Sequence, residues 1–291
     1  MFNLLRAEWQ KVTGNRLLTS FTVWVFPVGI AAFVAVMTVL VLVTERPPVG
    51  VGNEWTTGMI GTWGALTRFP GSIFIRMFVT AFMAAFFAGE YEWGTWKNIV
   101  PRNRRWKLMF VKFWIFALMV ILSLFLTSII VGAGRWLPFA VGGFDYGPAV
   151  TRDVMLEFLP EYGVEAALAF ATALLLAGLA ALAVLLTRSV VGGLLLGFGL
   201  SIIEAVSGFI LLWIATLFDA PQISNGYAYT PTYSIENIRA WALNGAAVQP
   251  PYLPLFDAQL SLISSILILA AWIFGLMLLA ALIFQRQDLT N

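Results

Sequence analysis

"GVEAALAFATALLLAGLAALAVLLTRSVVGGLLLGFGLSIIEAVSGFILLW" runs from Gly163 to Trp213, and its length decides the fold. It holds two apolar stretches, 163–186 and 190–213. Each is long enough to cross a bilayer as a helix, which takes about 20 residues for a hydrocarbon core of about 30 Å. Only Thr187, Arg188 and Ser189 lie between them. That link leaves room for a tight turn, so the pair reads as a helical hairpin inside a membrane.

The same test finds four more spans, at 21–43, 69–88, 113–134 and 259–284. The second is interrupted by Arg76. The expectation is an all-α integral membrane protein of six transmembrane helices, one transmembrane domain over residues 1–291. Composition agrees: 60% of residues are hydrophobic and 11% charged, against about 25% charged in soluble domains. Too few polar side chains exist to cover a water-facing surface. Cysteine and histidine are both missing, which excludes disulfides, thiol nucleophiles, the usual zinc ligands and histidine acid–base chemistry. A net charge of +2 is too small to imply a nucleic-acid partner.

The first apolar run, Phe21 to Val43, is longer than a signal-peptide core, and "TERPPVG" after it offers no small-x-small cleavage site. It reads as a retained span. Before it, Phe2, Leu5, Trp9 and Val12 fall at helical spacing. Residues 1–16 are therefore expected to form an amphipathic helix in the interface, with Trp9 at headgroup depth. Arg6, Lys11, Arg16, Lys97, Arg102, Arg104, Arg105, Lys107, Lys112, Arg188 and Arg286 gather on one side of the six-span arrangement. Arg46, Arg68, Arg135, Arg152 and Arg239 fall on the other, beside most of the acids. The excess of Lys and Arg marks the cytoplasmic side, so both termini are expected there. Outside, Thr151 is a candidate cap for a short helix, and Ser234 for another over Ile235–Leu243 that Gly245 ends.

One polar interval stands out: "GEYEWGTWKNIVPRNRRWKLMFVKF", Gly89 to Phe113. Glu90 and Glu92 open it, Gly94 permits a bend or close approach, and Pro101 ends any helix begun near Thr95. The basic run that follows suits anionic headgroups. A plain membrane anchor explains the arginines and Trp106, but not the two acids, the Gly-Thr pair and the proline.

In this interval the chain resembles the permease subunits of type-2 ATP-binding-cassette exporters. Their first cytoplasmic loop carries Glu-x-Glu-x-Gly-Thr, then Pro-x-x-Arg, then a Lys at the third span. Here these are Glu90, Glu92, Gly94, Thr95, Pro101, Arg104 and Lys112. Trp93 and Trp96 depart from the pattern, where aliphatic or polar residues are usual. The resemblance implies a coupling helix over about 90–101, including Trp96 and Lys97, seated in a groove of a separate cassette ATPase. It also implies two ATPase copies, a second permease subunit (identical or homologous), and a bacterial or archaeal cytoplasmic membrane. A peptide, drug or lipid-like substrate would be exported. The chain lacks a Gly-x-x-x-x-Gly-Lys-Ser/Thr loop, so ATP and Mg are expected on the partner, with no cofactor or catalytic site here.

Arg76 and Glu204 fall at matching depth in the second and fifth spans. An intramembrane charge is costly and pairs or faces water. Two readings stand: a charged element of a translocation path, or a structural ion pair. Gly193, Gly197, Ser201 and Ala205 recur every four residues and allow close helix approach, either at a seam with a second permease or within one subunit. Among other functions, an intramembrane enzyme lacks any catalytic motif. An ATP-independent channel or secondary transporter is disfavoured by the lack of inverted-repeat symmetry.

Overall fold

The computed structural model describes residues 2–48, 52–92, 105–251, 253 and 256–287, with the side chains of 90–92 set apart. Ten helices are used below. They are α1 (Phe2–Gly14), α2 (Arg16–Thr44), α3 (Trp55–Thr67), α4 (Ile73–Glu92) and α5 (Arg105–Gly142), then α6 (Arg152–Thr187), α7 (Val190–Ala205), α8 (Ser207–Leu217), α9 (Pro231–Asn244) and α10 (Leu262–Arg286). Four of them, α2, α5, α6 and α10, are long and apolar enough to cross a membrane, and the bent pair α7–α8 makes a fifth. The architecture is all-helical and fits a multi-pass membrane protein.

α6 is the centre. Its inner two-thirds is buried almost all round, and α4, α5, α7 and α10 pack against it. The hairpin at 187–189 is present. Arg188 ends α6 in the left-handed region at φ 53°, and the Ser189 side chain accepts from the Gly192 amide to start α7. Neighbour contacts give α2 and α6 their directions relative to α5. α2 runs parallel to it, with Val34 beside Gly134 and Val41 beside Gly142. α6 runs antiparallel, pairing Tyr162 with Ser128 at 2.8 Å and stacking Phe170 on Trp114.

Several boundaries differ from expectation. Helix α5 extends well past 113–134 at both ends. The short helix expected after Thr151 is not separate. Thr151 does cap it, accepting from Val154 N, but the helix continues through Pro160 into the fourth span. Proline removes one hydrogen bond and crowds the preceding turn without always stopping a helix; the carbonyl it releases, that of Leu156, is on an exposed residue. Pro27 has a similar remedy. The Val23 carbonyl, four residues earlier, accepts a hydrogen bond from Ser123 Oγ at 2.9 Å instead. A π-helical turn, Ser20–Trp24, precedes it.

The larger corrections concern the second and fifth spans. The expected span at 69–88 begins only at Ile73, and its apolar part, Ile73–Gly89, is short. Ahead of it lies an unexpected helix, α3. Gly58 packs on Val131 and Arg135, Phe82 on Phe116 and Phe87 on Phe113. Partners along α5 thus fall steadily in number, so α3 and α4 descend one after the other along α5. They are two pieces of one descent, broken at 68–72, where the chain turns through a cis Phe69–Pro70 bond. The expected unbroken fifth span, 190–213, is also broken: α7 and α8 meet at Val206 with a 64° bend. Outside, α9 is capped by Thr230 rather than Ser234, with Pro231 in its first turn, and Gly245 ends it at φ 69°. α10 begins after the Ser261 cap, a little inside the expected 259–284.

Candidate functional site

Two regions concentrate polar chemistry. The first is the root of the polar interval. Glu90 and Glu92 lie in the last turn of α4, whose backbone is helical there. Gly94, Thr95, Trp96, Lys97, Pro101 and Arg104 lie outside the described residues. The helices on both sides are well defined. Lys112, two turns into α5, is fully buried, with Nζ 3.1 Å from Glu8 Oε2 on α1. The same ammonium lies 4.2 Å from the Phe86 ring centroid and 5.7 Å from that of Phe87 on α4, within the range of cation–π attraction. One cation thereby ties α1, α4 and α5 together. Glu8 sits on the inward face of α1 beside Val12, while Phe2 and Trp9 are exposed, so the amphipathic pattern carries a buried acid that apolar spacing did not reveal.

Arg105, expected among headgroup anchors, does something else. Its Nη1 donates to the carbonyls of Phe284, Gln285 and Gln287 at 2.7, 3.0 and 2.8 Å. Those groups close α10, where carbonyls lack amide partners and the helix dipole favours a cation. The first residue described after the interval is therefore bolted to the last span.

The second region lies around the two helix breaks. Arg76 is fully buried on α4, and its Nη1 reaches Glu204 Oε2 at 2.7 Å and the Ser201 carbonyl at 2.9 Å. Glu204 Oε1 accepts from Thr232 Oγ1 on α9 at 2.5 Å. Two turns along α9, Arg239 donates to both oxygens of fully buried Glu165, at 2.7 and 3.1 Å, and to Thr67 Oγ1 at 2.6 Å. Arg68, in the break between α3 and α4, also pairs with Glu165. Sequence reasoning missed Glu165, because its partners Arg68 and Arg239 are far away in the chain. An acid at the head of an apolar run, Glu165 being the third residue of 163–186, was the available signal. Thr232 and Arg239 are seven residues apart, hence on one face of α9, and that face closes both clusters at once.

The small-residue stripe is used within the chain. Gly193, Gly197, Ser201 and Ala205 are the buried residues of α7. A Cβ on Gly193 would stand 2.4 Å from Val184 Cγ2, and one on Gly197 would stand 3.0 Å from Ala180 Cα. The stripe packs within the chain, at the α6–α7 contact of the hairpin. Among the described residues no group of His, Cys, Asp and Glu is placed to hold a metal ion.

Outside the spans, Tyr233 packs its ring on Tyr227 and Phe256, and burial pushes its hydroxyl above the ordinary tyrosine pKa. Asn237 donates to the Leu260 carbonyl and Ser265 Oγ and accepts from Val248 N. These contacts tie Val248, Leu260 and the start of α10 to α9. In comparisons with known protein families, curated proteins and solved structures, nothing matches this chain.

Proposed function

We propose that this chain is the membrane-spanning permease subunit of a type-2 ATP-binding-cassette exporter, moving a peptide, drug or lipid-like substrate with a separate ATPase as motor. The observation that carries the reading is the stiff root of the interval 93–104. Lys112 joins its two flanking helices to each other and to α1, and Arg105 joins α5 to the end of α10. A segment that transmits a push needs a rigid base, whereas an anchor needs none. Alternating helix directions support six passes, with the descent α3–α4 counted as one and α7–α8 as another. In this reading Glu90, Glu92, Gly94, Thr95, Trp96, Lys97, Pro101 and Arg104 contact the ATPase, two ATPases serve two permease subunits, and both termini are cytoplasmic.

The test is a pull-down with an ATPase assay on reconstituted complexes. Glu90→Ala, Glu92→Ala and Gly94→Leu are expected to leave the permease folded while ATPase binding or substrate-linked turnover falls. Wild-type assembly and turnover in all three would reduce the segment to an anchor.

A second reading has its own observation. Interrupted helices beside buried charges also mark ATP-independent transporters, and both breaks here adjoin buried ion pairs. Transport driven by an ion gradient in liposomes without any ATPase would favour that reading.

A further inference from the structure

A cavity of about 490 Å³ opens between α2, α3 and α5, within the usual range for small-ligand sites. Its wall on α5 runs from Leu124 to Arg135. At 1.5 Å per residue that is roughly 16 Å, about half of a hydrocarbon core of ~30 Å. The walls are almost wholly apolar. Lining hydroxyls are already engaged: Thr62 and Thr127 donate to carbonyls of their own helices, and Thr57 donates to Glu54.

Arg135 is different. It is the one charged residue of the lining among those described, and its guanidinium lies over Gly58, with Nη1 3.2 Å from where a Cβ would stand. Its buried Nε has no hydrogen-bond partner, and among the described residues no carboxylate pairs with it. The nearby Tyr146 hydroxyl donates to the Gly132 carbonyl and supplies no charge. Gly29 and Gly61 keep the cleft open, since a Cβ on either meets nothing within 4 Å.

We propose that this cleft binds one anionic phospholipid of the surrounding bilayer, an acyl chain lying along Leu124–Val131 and the phosphate against Arg135. The shape is one leaflet long, the walls match hydrocarbon, and Arg135, the one cation among the described lining residues, stands at the end where a headgroup belongs. An acyl chain with a phosphate satisfies each feature, because guanidinium pairs with phosphate through charge-assisted hydrogen bonds. The site does not rest on the permease reading.

The test is native mass spectrometry of the delipidated full chain in detergent, titrated with palmitoyl-oleoyl phosphatidylglycerol or phosphatidylcholine. One phosphatidylglycerol is expected to be retained, about tenfold more tightly than phosphatidylcholine. Arg135→Gln should bring phosphatidylglycerol down to the phosphatidylcholine level. Gly29→Leu and Gly61→Leu, which fill the cleft from two helices, should weaken both lipids about tenfold without lowering the melting temperature. If one of these fails to fold, the other carries the test. Unchanged phosphatidylglycerol retention in Arg135→Gln overturns the proposal, as does unchanged retention in a folded leucine variant. A non-lipid adduct displaced by neither lipid would give the cleft to another occupant and overturn it equally.

Discussion

Arg76 and Glu204 meet across 2.7 Å, and the same guanidinium nitrogen also holds the Ser201 carbonyl. α7 ends one residue after Glu204, at a bend of 64°. The dipole of a helix favours a cation near its C-terminal end, so Arg76 suits a helix that stops inside the protein. Arg76 thus supports the break as well as the pair. Removing one partner of a buried pair costs about 3–5 kcal/mol. Arg76→Ala and Glu204→Ala should each lose that much in detergent unfolding, and the double variant less than their sum. Strict additivity would show that the pair is not an energetic unit.

Glu165 faces two arginines of unequal exposure: the Arg68 side chain is 51% exposed and that of Arg239 15%. Exposed pairs contribute about 0–1 kcal/mol. Arg68→Gln should therefore cost little, whereas Glu165→Gln and Arg239→Gln should each cost about 3 kcal/mol or more. Equal losses for the two arginines in the same unfolding assay would contradict this ranking.

Lys112→Met strips Glu8 of its cation and should loosen α1, read as faster proteolysis near Gly14 and a lower melting temperature. The double variant Glu8→Leu, Lys112→Met restores an apolar contact and should recover most of the loss, because well-packed apolar replacements of buried pairs are often neutral. No recovery would mean that charge itself fixes α1.

Gly197 and Gly199 lie two residues apart on α7 but face different surroundings. A Cβ at 197 approaches the Ala180 backbone at 3.0 Å, while one at 199 meets nothing within 4 Å. Gly197→Leu should destabilise by about 1–3 kcal/mol or more through overpacking, and Gly199→Leu should be close to neutral. Similar melting curves for both would place the hairpin contact elsewhere.

Cysteines introduced at Asn103 and Asn225 of this cysteine-free chain should react with impermeant maleimides from opposite sides of the membrane. Labelling from one side only would refute the six-pass arrangement.

Much of the architecture was legible because hydropathy and caps are local properties. Thr151, Ser189 and Gly245 act at helix ends as their types predict. The failures have equally definite causes. α3 is rich in Gly and Thr, with Gly58, Gly61 and Gly64 in thirteen residues, so neither apolar length nor helix propensity announces it. The break at Val206 carries no proline and only the Ser207–Gly208 pair beyond it as a local signal; Arg76 and Thr232, far away in sequence, support it from outside. Ser234 has a capping side chain, but Thr230 followed by Pro231 offers the better start. The Arg76–Glu204 pair could be read from depth alone, whereas Glu165 needed Arg239 brought in from the outer loop.

The 36 residues of α6 form one helix, about 54 Å from end to end. A hydrocarbon core of about 30 Å leaves roughly 24 Å uncovered when α6 stands upright, and less when it tilts. The central strut is thus a mast taller than the deck it passes through. In a six-pass arrangement its first turns, with Asp153 and Glu157, lie toward the water together with α9. In the six-pass arrangement proposed above, that surplus would make the outer part a raised turret, open to large soluble molecules that a surface flush with the lipid headgroups would keep away.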